Sequence, residues 1–180
     1  SAESNPLAPL AHHLQDSTHI AYDVLTGGLT FGPVRVEASG FHGREPGEDR
    51  WTIYQGAVDS WSARLTAAPA KDWLVQYSVG HLHSPEALHP EEDVLRQTAS
   101  VSVHHERPQV EIDATAIWGR NHTASTPVNA NGYLLEAEAR MQARQSVWMR
   151  IENDDRTTDL LGPSAPEEES VVGRVQAYTG

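Results

Sequence analysis

The sequence predicts an all-β fold: an antiparallel up-and-down transmembrane β-barrel, or a contiguous part of one, with about nine strands. Three observations lead there. Apolar and polar residues alternate with period two in one segment after another, the signature of a sheet with one apolar and one polar face. The segments approach about ten residues, enough to cross a bilayer's hydrocarbon when tilted, whereas ordinary strands have about five or six. The joins between segments alternate short and long along the chain, as in a barrel with tight turns at one end and extended loops at the other.

Strands are expected near 18–27, 33–42, 58–68, 72–82, 95–105, 109–120, 132–142, 145–153 and 170–179, preceded by an extended or loop N-terminal segment over 1–17. The first strand ends at a glycine-marked short join, 28–32. The second alternates Val34, Val36 and Ala38 with Arg35, Glu37 and Ser39. The third carries Trp61 and Arg64 on opposite parities and stops at Pro69. The fourth sets Trp73, Val75, Tyr77 and Val79 against Leu74, Gln76, Ser78 and Gly80. After the fifth come a short join at 106–108 and the sixth strand, where Val110, Ile112, Ala114, Ala116 and Trp118 alternate with Glu111, Asp113, Thr115, Ile117 and Gly119. The seventh places Tyr133, Leu135, Ala137 and Ala139 against Leu134, Glu136, Glu138 and Arg140. Its Glu, Ala and Arg also favour a helix, and its strand neighbours decide for β. The last two contribute Arg150, Arg174 and Gln176 to the polar parity. Long loops are expected at 43–57, 83–94, 121–131 and 153–169.

Composition narrows the function. The 180 residues include 25 acidic against 13 Lys plus Arg, a formal net charge of -12, so nucleic acid is not an expected partner. The absence of Cys removes disulfides, thiolate metal sites and thiol nucleophiles. Hydrophobic content of 38% falls short of the usual apolar share of about 45–50%, consistent with a barrel that is polar inside. The first ten residues lack the basic start and apolar stretch of a secretion signal, so the chain reads as mature, trimmed or cytosolic.

If the apolar parity faces lipid, the polar parity lines a lumen, with Arg35, Glu37, Arg64, Gln76, Glu111, Asp113, Glu136, Glu138, Arg140 and Arg174 as lining residues. If it faces protein, the same side chains form a solvated outer face. Trp61, Trp118 and Tyr133 near the long-loop end and Trp73 near the turn end suit the two membrane interfaces. Ten histidines raise the alternative of a bound transition-metal ion, with His12, His13, His81 and His83 as candidate ligands. Solvated loop histidines are the simpler account, and no cofactor is expected. The carboxylate pairs Glu111/Asp113 and Glu136/Glu138 share strand faces and can serve acid–base chemistry if their pKa values are split. Nearby arginines favour an electrostatic network instead. No nucleophile elbow, HExxH, EF-hand or phosphate-cradling glycine loop is present.

The stretches 12–20 (HHLQDSTHI), 43–46 (GREP), 84–88 (SPEAL) and 118–121 (WGRN) resemble an uncharacterised, porin-like family of bacterial outer-membrane β-barrel proteins. The resemblance spans about 12–178 and implies an antiparallel barrel in a Gram-negative outer membrane, with no catalytic residues to carry over. Members of that family begin earlier and continue later than this chain, which implies further strands or subunits completing the barrel. The expected function is passage or capture of a small polar solute or ion without catalysis, with outer-membrane lipid around the barrel. The alternatives are a soluble or periplasmic β-domain that binds ligands or serves a larger assembly, a metal-handling barrel, and, least favoured, a membrane-embedded hydrolase.

Overall fold

The computed structural model describes residues 5–10, 12–16, 20–44, 55–85, 91–124, 129–142, 144–157 and 171–180. His19, His89, most of the 44–50 loop and the 167–169 acidic run lie outside them. The chain is all-β apart from one helical turn, α1 (His12–Gln15). Nine strands follow: β1 (Ala21–Phe31), β2 (Val34–Gly43), β3 (Ser60–Ala70), β4 (Trp73–Leu82), β5 (Val94–Arg107), β6 (Val110–Thr123), β7 (Asn129–Met141), β8 (Gln145–Thr157) and β9 (Val171–Thr179). They form a single antiparallel sheet in sequence order. The helix weighed for the seventh segment is not formed, because β7 is paired along its length with β6 and β8.

Strand limits differ most from the sequence expectation at three places, one of them the end of β8, which runs to Thr157 rather than 153. β1 runs on through Gly27 and Gly28 to Phe31, and the turn is Gly32–Pro33. Gly28 is needed in the strand, since a Cβ there would come within 2.9 Å of the Glu37 Cγ and 3.0 Å of the Val36 carbonyl. Gly32 supplies the turn with φ +56°, a conformation that costs glycine little. Between β6 and β7 the expected 121–131 loop shrinks to 124–128, because Asn121 and His122 pair in register with Ala130 and Asn129. The strands there extend beyond their apolar alternation.

The sheet is open. β1 and β9 have no ladder partner on their outer edges among the described residues, so these nine strands do not make the closed barrel. With every neighbour antiparallel, β1 and β9 run in the same direction, and joining them directly would require a parallel seam.

Burial is inverted relative to a protein with an apolar core. The buried hydrophobic residues are Leu14, Ile20, Phe41, Leu82, Ala130 and Leu134, whereas the buried polar or charged ones include Arg96, Thr115, Glu136, Glu138, Arg150, Glu152 and Asp154. Ile20, Phe41 and Leu82 form a small cluster with Ala21 and Val94, which seals the polar face near the long-loop end. Leu25, Leu29, Phe31, Val36, Leu65, Val75, Val101, Leu135, Val147 and Met149 are exposed on the opposite face. That face presents one continuous apolar surface far beyond the scattered leucines of an ordinary soluble domain.

Candidate functional site

Cross-strand register assigns each expected side chain to a face, because directly paired residues point the same way. Val36↔Leu65, Leu65↔Tyr77, Val75↔Val101, Val101↔Ala116, Ala116↔Leu135 and Leu135↔Ile151 run unbroken across the apolar face. Trp61, Trp73, Trp118 and Tyr133 belong to it, with Trp118 directly opposite Tyr133. Arg35, Glu37, Arg64, Gln76, Glu111, Asp113, Glu136, Glu138 and Arg140 all fall on the other face.

Arg174 does not. It pairs with Asp155, and Gln176 with Asn153, on the parity of Tyr178 and Ile151, and the Arg174 guanidinium meets the Asp155 carboxylate at 2.7 Å. Period two assigns polar residues to one face only as far as the apolar band extends. Toward the long loops the outer face turns polar too, with Arg120, Asn131, Asn153 and Asp155, and Arg174 joins that rim.

The polar face has two differently charged halves. On β6–β8, Arg150 donates Nε–H to Glu136 Oε2 at 2.6 Å, and a second guanidinium nitrogen also reaches that carboxylate. Arg140 lies 3.9 Å from both Glu138 and Glu111. His104 Nδ1 is 2.7 Å from Asp113. Acids outnumber arginines here, with Glu152 and Asp154 also buried. On β1–β5 the face carries Arg35, Glu37, Arg64 and Arg96 along its length, with His104 and Glu106 at the turn end of β5, set among hydroxyls paired across strands: Thr26 with Ser39 at 2.8 Å and Ser78 with Thr98 at 2.6 Å.

The N-terminal segment, expected as an extended or loop stretch, is bound across this polar face. The Arg150 guanidinium donates to the Leu7 carbonyl at 2.6 Å, and the Leu10 amide donates to Glu152 at 2.6 Å. Asn121 donates to the His13 carbonyl at 3.3 Å, and Arg96 to the Asp16 carbonyl at 2.7 Å. A Cβ on Gly119 would lie 2.3 Å from the Leu14 carbonyl, so glycine at 119 admits the segment's backbone. Residues 7–10 and 12–16 thus form a strap from β8 to β5. Its one sequence signal is Leu14, an isolated apolar residue that becomes buried.

Between the strap and β1–β5 lies a cavity of about 480 Å³, with Gln15, Glu37, Ser62, Arg64, Gln76 and Arg96 on its wall.

The candidate metal ligands do not converge. His12 and His13 pack ring to ring at 3.9 Å in α1. His81 and His83 share a face, but both turn to the Asp93 carboxylate, at 3.4 and 2.8 Å. Among the described residues, the one group of three ligand types within 4.8 Å of one another is His104, Glu111 and Asp113. The sequence pattern does not single out His104, since the β5–β6 register that joins it to Asp113 is not visible in either strand alone. His104 is already hydrogen-bonded to Asp113, and Arg140 stands beside Glu111, which opposes a divalent cation there.

No protein-family model matches this chain, and no curated protein or solved structure matches it either.

Proposed function

We propose that this chain forms the wall of an outer-membrane β-barrel that passes or captures a small polar solute or ion without covalent catalysis. One observation carries the reading: side chains that belong in a core are exposed on one face, while carboxylates and arginines are buried on the other. In water such an arrangement leaves a large apolar surface exposed. In a bilayer the same surface contacts hydrocarbon, and the polar face lines the lumen.

The open edges support completion of the wall by additional strands or by subunits. An all-antiparallel closure needs an odd number of further strands, because β1 and β9 run the same way. The split between an acid-rich β6–β8 wall and an arginine-bearing β1–β5 wall sets a transverse field that orients a polar solute. The strap narrows the passage at the long-loop end.

Fractionation after expression in a Gram-negative host, with a cleavable secretion signal fused ahead of residue 1, tests the proposal. The chain is expected in the outer membrane and to require detergent for extraction. A chain that remains folded and monomeric in buffer without detergent favours the soluble or periplasmic β-domain.

A further inference from the structure

We infer that the cavity between β1–β5 and the strap is a binding site for a small oxyanion, a carboxylate- or phosphate-bearing solute, held by the Arg64 guanidinium. The inference rests on the reading that this polar wall encloses solute, and it adds where that solute binds and what charge it carries.

Two arginines line the cavity, and they differ in what they hold. Arg96 is committed: it donates to Asn121 Oδ1 at 2.8 Å and to the Asp16 carbonyl at 2.7 Å. Arg64 makes no hydrogen bond or ion pair among the described residues. Its cross-strand partner is Glu37, which would be the obvious counter-ion, but the Glu37 carboxylate holds Arg35 at 2.8 Å instead. An uncommitted cation is therefore left facing the cavity in a chain whose formal net charge is -12.

The groups around Arg64 have the complementary chemistry. Ser62 is two residues away on the same face of β3. Gln76 is diagonal to Arg64 on β4, because Arg64 pairs with Ser78, and diagonal neighbours lie within about 7–8 Å. Neither has a hydrogen-bond partner among the described residues. The Gln15 side-chain nitrogen, on the strap side of the cavity, is buried without an acceptor. Asp16 and Glu37 also line the cavity, and Glu37 is held by Arg35; around Arg64 itself, a guanidinium, a hydroxyl and two amide NH2 groups supply donors suited to a ligand that brings acceptor oxygens and negative charge. A planar guanidinium binds carboxylate or phosphate in bidentate fashion. The volume of about 480 Å³ fits a small metabolite.

The full-length chain, purified in detergent micelles, is titrated calorimetrically with inorganic phosphate, with succinate and with D-glucose. Saturable binding of phosphate or succinate is expected, and the anion that binds distinguishes the two sources of the oxyanion. Arg64→Gln is expected to weaken binding about tenfold or more, and Arg64→Lys to retain part of it. Arg144→Gln, in the turn before β8, is expected to change nothing. Anion binding equal in the native chain and Arg64→Gln overturns the site, as does glucose binding as tight as the anions. So does the absence of saturable anion binding near about 10 mM. A chain that fractionates with the outer membrane but fails this titration loses only the Arg64 site. A chain that binds succinate through Arg64 yet is soluble without detergent loses only the membrane reading.

Discussion

Leu135 and Glu136 are consecutive residues of β7 with opposite fates: Leu135 is 45% exposed and Glu136 4%. Leu135 pairs with Ile151 and Ala116, and Glu136 with Arg150 and Thr115, so each extends its own face across three strands. A polar residue this deeply buried needs a charged partner, and Arg150 provides one. The apolar residue beside it has no apolar cover from the described residues.

That contrast sets the first prediction. Leu135→Arg places a charge in the middle of the apolar face. If the face meets hydrocarbon, urea unfolding from lipid vesicles is expected to show a loss of about 2–4 kcal/mol. On a water-exposed surface the same change alters stability by about 0.5 kcal/mol or less. The two outcomes are separable in one experiment.

The buried pair gives a second. Arg150→Ala leaves Glu136 without its partner and releases the Leu7 carbonyl, and a loss of about 3–5 kcal/mol is expected in the same unfolding assay. Combining Arg150→Met with Glu136→Gln removes the stranded charge, and the double variant is expected to be more stable than Arg150→Ala. A double variant no better than the single would place the cost in lost packing instead.

The strap gives a third. Gly119→Val drives a side chain into the Leu14 carbonyl, which is backbone and cannot swing aside. Residues 7–16 are expected to detach, seen as new proteolytic cleavage N-terminal to β1 and as higher conductance in planar bilayers. Unchanged protection would mean that the strap is not held at Gly119.

Acid stability gives a fourth. Burial raises the Asp59 pKa, but hydrogen bonds from the Gly43 amide and Ser60, together with His42, outweigh it and hold the carboxyl below its usual value. A depressed folded-state pKa means that this stabilisation is complete above the unfolded-state value, about 3.9. It is lost as pH falls through the lower folded-state value. Asp59→Asn is therefore expected to lower the melting temperature at pH 6 and to flatten its decline below about pH 4. A decline of the same steepness in both proteins would contradict this role.

The sequence carried the strand pattern well, since period two is local and every one of the nine strands shows it or is flanked by turn residues. What it missed depends on relations between segments. The β1 end falls short in the sequence because Gly28 reads as the start of a turn, whereas Gly28 is there to clear Glu37. Arg174 was assigned inward because its strand alone does not reveal where the apolar band stops. Its pairing with Asp155 settles the face. Apart from Leu14, the strap leaves no trace in the sequence because its anchors are mostly its own backbone carbonyls, which carry no side-chain signature. The partner of His104 and the uncommitted state of Arg64 both follow from register, which pairs Arg64 with a glutamate already taken by Arg35.

The most direct test of the central claim uses the absence of cysteine. Single variants Leu135→Cys and Met149→Cys on the apolar face, and Ser78→Cys and Ser100→Cys on the polar face, can be spin-labelled in lipid bilayers. Collision rates with oxygen and with a water-soluble nickel chelate then report each label's surroundings. Labels at 135 and 149 are expected to meet oxygen far more than nickel, with the reverse at 78 and 100. Nickel access at 135 and 149 equal to that at 78 and 100 would contradict a hydrocarbon-facing sheet.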